Sequence, residues 1–116
     1  MNKIDAIIAE LSNNHTISEA FATVGITHIS IPFTYKDLDF NVLEMPIDLR
    51  TKNALKRNHF NTIGDILRYV EHGNTLKDVR GLGRVSIKPL MNSILDFLWD
   101  CLNTEEQAAM LLANVN

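Results

Sequence analysis

Residues 76–87 place two glycines between two helical segments: Leu76-Lys77-Asp78-Val79-Arg80-Gly81-Leu82-Gly83-Arg84-Val85-Ser86-Ile87. A short helix, Gly-Leu-Gly and a second helix is the order of a helix-hairpin-helix. Both glycines are expected to take a positive φ and so turn the chain tightly. Since glycine has no Cβ, the N–H groups of the turn and of the following helix can approach a phosphate. The pattern alone equally allows a plain turn between helices that needs glycine only to reverse direction.

The composition is that of an ordinary globular protein, with 46% hydrophobic and 22% charged residues among 116. No apolar run approaches the roughly 20 residues that a membrane span needs, and the start, Met1–Asp5, is too polar for a signal peptide. The single cysteine, Cys101, excludes an internal disulfide, and its place on an apolar helical stripe favours a small core residue. We therefore expect a cytoplasmic protein without a membrane partner.

Charge is distributed unevenly along the sequence, although its net value is only −3. Residues 50–90 carry nine basic and three acidic side chains, a net +6, while the rest carries two basic and eleven acidic ones, a net −9. This asymmetry indicates a basic surface around the glycine turn and acidic flanks elsewhere. A mixed, solvated surface is the alternative.

Apolar spacing and capping residues predict an all-α fold. Ile4, Ile7, Ile8 and Leu11 recur at helical spacing, which predicts a first helix over residues 3–12. This helix either packs on its own domain or forms a homodimer or a contact with a partner protein. Residues 26–46 read as an extended connector with a short strand-like piece. A long helix is expected from about residue 85 to Leu102, with Pro89 in its first turn. The residues expected to cap helices are Thr16, Asp48, Thr62, Thr75, Ser86 and Thr104.

Three blocks of this sequence resemble one known family. Residues 48–56 (DLRTKNALK), 62–67 (TIGDIL) and 81–86 (GLGRVS) resemble, in that order, two helices and the hairpin of the C-terminal domain of the bacterial RNA polymerase alpha subunit. We therefore divide the protein into an N-terminal helical extension and connector (1–42), an alpha C-terminal-domain-like part (43–102) and a C-terminal helix that packs on the domain (103–116). Residues 1–42 do not resemble the subunit's assembly domain. If Met1 is the true start, the protein is a free-standing relative of the subunit.

The resemblance implies a compact helical domain that acts in transcription. In the family this domain binds the minor groove of A·T-rich promoter DNA and contacts RNA polymerase, sigma factor and transcription activators. It implies that Arg50 enters the minor groove, that Asn53 contacts the sugar-phosphate backbone, and that Glu44 faces sigma factor. With the adjacent basic and hairpin residues, the expected DNA-binding set is Arg50, Asn53, Lys56, Gly81, Gly83, Arg84 and Ser86.

Two positions depart from the family pattern. The family often has lysine where Val85 stands and commonly has glutamate where Pro89 stands. Valine removes a phosphate partner and proline alters the helix start, which implies weaker DNA binding. Three functions stay open: a DNA-binding module of transcription, a protein-interaction module of the same fold with little DNA affinity, and a helix-hairpin-helix module of DNA repair or replication.

The sequence indicates neither catalysis nor a metal site. The four histidines lack metal-ligand spacing with one another or with carboxylates. Asp37 and Asp39 have no nearby base or nucleophile, and Asp96 and Asp100, one turn apart, indicate a solvated helix face. We expect no enzyme activity, cofactor or metal.

Overall fold

The computed structural model describes residues 2–26, 29–30 and 39–115, which divide into two compact units. Unit 1 comprises Met1–Phe33 and Leu95–Asn116, and unit 2 comprises Thr34–Ile94. The predicted all-α fold is confirmed, whereas the predicted boundaries at residues 42 and 102 stay a prediction. Across the described ranges the helices are α1 (Lys3–Ser12), α2 (Ile17–Thr23), α3 (Leu49–Arg57), α4 (Ile63–Glu71), α5 (Arg84–Cys101) and α6 (Thr104–Asn114), with 3-10 turns at Val42–Glu44 and Leu76–Asp78.

Capping side chains begin three of the helices where the sequence predicts them. The Thr62 hydroxyl accepts the Asp65 N–H at 3.1 Å, and the Asp65 carboxylate accepts the Thr62 N–H at 3.0 Å. Thr16 caps α2 with the same reciprocal arrangement. Asp48 Oδ1 accepts the Thr51 N–H at 2.7 Å at the start of α3. Each such cap contributes about 1 kcal/mol to helix stability, which matters for helices of only two turns.

The start of α5 differs from the prediction. The helix begins at Arg84, so Ser86 lies within its first turn instead of capping it. Pro89 is the sixth residue of α5 and therefore lies in the second turn, where it cannot donate to the carbonyl of Val85. Val85 is 85% exposed, so water can reach the residue that loses this hydrogen bond.

Unit 1 encloses an apolar core of its own. Ile7 of α1 and Phe21 of α2 are fully buried and pack with the last turns of α5 and with α6. The N–H and hydroxyl of Ser18 each donate to the Asp96 carboxylate at 2.9 Å, which ties α2 to α5. The prediction of a solvated face is therefore wrong for Asp96. The buried core residues are Ile7, Ile17, Ala20, Phe21, Leu95, Trp99, Met110 and Leu111.

Two further expectations in the C-terminal part are wrong. Cys101 is exposed, because it ends α5 beyond the last buried residue of that helix, Trp99. The cap of α6 is Asn103, one residue before the predicted Thr104, and its side chain accepts the Glu106 N–H at 2.8 Å. Asparagine and threonine are both good caps, so their order in the sequence does not distinguish them.

Unit 2 buries the apolar faces of α3, α4 and the first part of α5. Residues 40–42, which precede α3, pair with residues 61–63 at the start of α4. The Val42 N–H donates to the Asn61 carbonyl at 3.0 Å, and the Ile63 N–H donates to the Phe40 carbonyl at 3.1 Å. This short pairing lies in the last part of the predicted connector, whereas the alternation of Ile29, Ile31 and Phe33 that predicts a strand-like piece falls mainly outside the described residues. The connector residues 27–28 and 31–38 lie outside the described residues. Among the described residues, the fully buried side chains of unit 2 are Val42, Ala54, Leu55, Ile63, Ile66, Leu90 and Ile94.

Candidate nucleic-acid interface

Helix α3 presents a polar, exposed face opposite its buried one. Arg50, Asn53 and Arg57 follow one another at three and four residues, so they lie along one stripe of the helix. Lys56 is also exposed, at the edge of this stripe. The positions of the predicted site residues Arg50, Asn53 and Lys56 thus allow a ligand to reach all three. The buried side of the helix consists of Thr51, Ala54 and Leu55.

The two glycines of the hairpin have different conformations. Gly81 takes a φ of +86°, as predicted, but Gly83 does not have a positive φ, so that part of the prediction is wrong. Leu82 is 6% exposed and donates its N–H to the Val79 carbonyl at 3.1 Å, which anchors the turn. A Cβ added at Gly83 would meet nothing within 4 Å. Packing and backbone geometry therefore do not require glycine at position 83.

Close contact at Gly81 brings the hairpin onto α3. A Cβ at position 81 would lie 3.6 Å from the Ala54 Cβ and 3.5 Å from Arg57 Nη2. Asn58, the C-cap of α3, donates from Nδ2 to the carbonyls of Ala54 and Arg80, at 2.7 and 2.9 Å. The exposed stripe of α3 and the hairpin, which are distant in sequence, thus form one surface. Sequence reasoning missed Asn58, because an asparagine after a helix has many local uses.

The start of α5 offers hydrogen-bond donors on the same hairpin. The Ser86 N–H donates to the Gly83 carbonyl at 3.0 Å. Within the described ranges, the N–H groups of Gly83, Arg84 and Val85 have no acceptor. They point out of the positive end of the α5 dipole, an arrangement that suits an anion. Arg84 is exposed beside them, whereas Ser86 is only 9% exposed, which limits what its hydroxyl can touch.

The basic side chains of unit 2 are largely unpaired. Arg68 bridges Asp65 at 2.7 Å. Burial acts to raise the pKa of Asp65, but hydrogen bonds from the Asn61 and Thr62 N–H groups and from Arg68 outweigh it and hold the pKa below its ordinary value. In the part of the protein that the structure describes, no carboxylate forms a salt bridge with the other eight basic residues of segment 50–90: Arg50, Lys52, Lys56, Arg57, Lys77, Arg80, Arg84 and Lys88.

Glu44 precedes these basic residues in the sequence. It is exposed in the 3-10 turn Val42–Glu44, which contacts α3. No cluster of three or more histidine, cysteine or acidic residues able to hold a metal occurs among the described residues. Over the same residues, every helix is too short or too polar to cross a membrane.

The hairpin packed on α3 defines a small helix-hairpin-helix domain with a basic surface. Residues 33–95 match the family described as the C-terminal domain of the alpha subunit of bacterial RNA polymerase. The match covers more than half of the sequence, and the protein belongs to this family, as the three sequence blocks predict. The family comprises transcription-related DNA-binding domains that interact with DNA and with polymerase or transcription factors, without catalysis. Comparison with curated proteins and with solved structures gave no match.

Proposed function

We propose that unit 2 binds the minor groove of A·T-rich promoter DNA through α3 and the hairpin, together with RNA polymerase. The observation that carries this proposal is the close approach of Gly81 to α3, where a Cβ at position 81 would lie 3.6 Å from the Ala54 Cβ. This contact places the exposed stripe of α3 and the free N–H groups of the hairpin on a common surface. An inserted side chain and backbone-directed donors can therefore act on the same stretch of duplex.

Arg50 is suited to the minor groove. It is the second residue of α3, is exposed, and makes no hydrogen bond or salt bridge within the described residues. The nearby Asp48 carboxylate accepts the Thr51 N–H, so it is already engaged as a cap. A narrow A·T minor groove concentrates negative potential, which favours an inserted arginine. Asn53, one turn further along the stripe, can hydrogen-bond to sugar or phosphate oxygens.

Gly83 supports a close approach of the phosphate backbone. Because a Cβ there would meet no atom of the protein and the backbone has an ordinary φ, the fold gains nothing specific from glycine at this position. The absent side chain instead leaves the free N–H groups of Gly83 and Arg84 accessible. The Arg84 side chain adds a positive charge beside them.

A second function, interaction with protein, is favoured by the apolar surface beside the hairpin. Val85 is 85% exposed, and Pro89, one turn along α5, is also exposed. These side chains can contact polymerase, sigma factor or an activator, and the exposed Glu44 offers sigma factor an acidic contact. A homodimer through α1 has less support, because the apolar stripe of α1 packs within unit 1 and leaves only Ile8 half-exposed.

The test is binding to a fluorescent A·T-rich duplex across a salt series, with a G·C-rich duplex as the comparison. The protein should prefer the A·T-rich duplex, and Arg50→Ala should abolish the preference. Lys52→Ala is the matched control, because it removes the same charge from a position about 200° around α3 from Arg50. Equal binding by the parent protein and Arg50→Ala, or no binding at low salt, would contradict DNA binding. A pull-down of polymerase and sigma factor then tests the second function, which an empty pull-down would contradict.

A further inference from the structure

We propose that Arg57, Asn58, Arg80 and Gly81 form a subsite for one backbone phosphate of the bound DNA. The four residues line a single pocket between the C-terminal end of α3 and the hairpin. The subsite rests on the proposed function and extends it, since the sequence indicates neither arginine as a DNA ligand. Its ligand is a phosphodiester group.

The Arg57 side chain is hydrogen-bonded to its own helix and lies close to the hairpin. Its Nε donates to the Asn53 carbonyl at 3.4 Å, and its Nη2 lies 3.5 Å from where a Cβ of residue 81 would be. The guanidinium thus lies beside Gly81, and Arg57 lines the pocket. A guanidinium that is already positioned loses less freedom when it binds an anion, and its planar fork matches two phosphate oxygens.

Arg80 is positioned through its backbone. Asn58 Nδ2 donates to the Arg80 carbonyl at 2.9 Å and to the Ala54 carbonyl at 2.7 Å, so one amide group joins the hairpin to the end of α3. The two arginines are far apart in the sequence, yet they reach the same pocket. The Arg80 side chain is exposed, so an incoming phosphate can reach it.

The charge of the pocket favours an anion. Neither Arg57 nor Arg80 forms a salt bridge with any carboxylate in the described ranges. Two guanidinium groups at one pocket repel each other, and a phosphate between them turns this repulsion into attraction. The partial negative charge of the carbonyls at the C-terminus of α3 makes a cation favourable at position 57. It does not explain the cation at position 80, because Arg80 belongs to the hairpin and not to α3. The pocket borders the hairpin through Arg80 and Gly81.

The test measures the slope of log K against log salt concentration for the A·T-rich duplex. Because one arginine is enough to neutralise the shared phosphate, Arg57→Ala and Arg80→Ala should each weaken binding but reduce this slope by less than about 0.9. The double variant should lose about 0.9, the contribution of one neutralised phosphate. A fourfold change in salt would then weaken binding of the double variant roughly 3.5-fold less than that of the parent protein. Lys52→Ala is the charge-matched control on the far side of α3.

Arg80→Ala removes an exposed side chain and leaves the Asn58 bond to its carbonyl intact, so this variant tests the subsite without disturbing the fold. A loss of about 2 in the double variant would show two independent cations and overturn the single subsite. An unchanged slope in the double variant would also overturn it, whereas an A·T preference that Arg50→Ala abolishes would leave the proposed function standing. Failure of the parent protein to bind any duplex would instead remove the proposed function.

Discussion

The two hairpin glycines are expected to respond differently to the same substitution. Gly81 has a φ of +86°, and a left-handed conformation costs an alanine about 1–2 kcal/mol. The added Cβ would make only ordinary contacts, at 3.5 and 3.6 Å, so no steric penalty is added. Gly83→Ala should change the free energy of unfolding by less than about 0.5 kcal/mol. At position 83, alanine caps a helix less well than glycine, but it also reduces the conformational freedom of the unfolded state, and the two effects offset each other.

Gly73→Ala is the matched control for backbone strain. Gly73 has a φ of +88° and open space around its Cβ position, so it should lose the same free energy as Gly81→Ala. Urea denaturation followed by far-UV circular dichroism measures all three variants. A loss of about 1 kcal/mol corresponds to a fall in Tm of about 4–8 °C for a domain of this size.

The same variants are expected to differ in DNA affinity in the opposite order from their stability. Gly83→Ala should weaken binding while the fold stays stable, because its methyl group stands where a phosphate approaches. Gly73→Ala should lose stability and keep the affinity of the parent protein at a temperature where both are folded. Wild-type stability of Gly81→Ala would refute the left-handed turn, and a loss above about 2 kcal/mol for Gly83→Ala would refute the open space around it. Undiminished affinity of Gly83→Ala would refute the phosphate contact.

Two further outcomes follow from side-chain hydrogen bonds. Asn58→Ala removes the donor to two carbonyls, one of them Arg80, and should lower the free energy of unfolding by about 1–2 kcal/mol; an unchanged urea midpoint would show that the hairpin is held without this link. The pKa of Asp65 is lower in the folded than in the unfolded state, so the unfolded state binds more protons as pH falls. The stabilisation that ionised Asp65 gives the fold is therefore present above its unfolded pKa of about 3.9 and is lost as pH falls through its lower folded pKa. Asp65→Asn should reduce this loss of stability at acid pH, measured by denaturation at a series of pH values. An acid profile identical to that of the parent protein would contradict the lowered pKa of Asp65.

The helices could be predicted because their signals are local. Thr62 and Asp65 cap each other within one turn, so the sequence alone contains both partners. The sequence does not predict the environments of Pro89, Cys101 and Asp96 correctly, because these environments depend on where other elements lie. Asp96, for example, owes its partial burial to Ser18, which is 78 residues away in the sequence.

The candidate interface divides in the same way. The family resemblance predicted Arg50 and Asn53, and the structure places both on one exposed stripe, while their binding role stays a prediction. The link through Asn58 and the pocket shared by Arg57 and Arg80 were missed, because they exist only after α3 and the hairpin meet. Two arginines so far apart in the sequence have no periodicity that could reveal their shared pocket.

The divided make-up of unit 1 has a consequence for folding during synthesis. When residue 94 has left the ribosome, every residue of unit 2 is present, whereas Ile7 and Phe21 still lack the partners that cover them. Those partners, Leu95, Trp99 and Met110, emerge after the whole of unit 2, so unit 1 can close only through contacts between distant parts of the sequence. Synthesis from the N-terminus therefore favours completion of the hairpin domain before that of the core of unit 1.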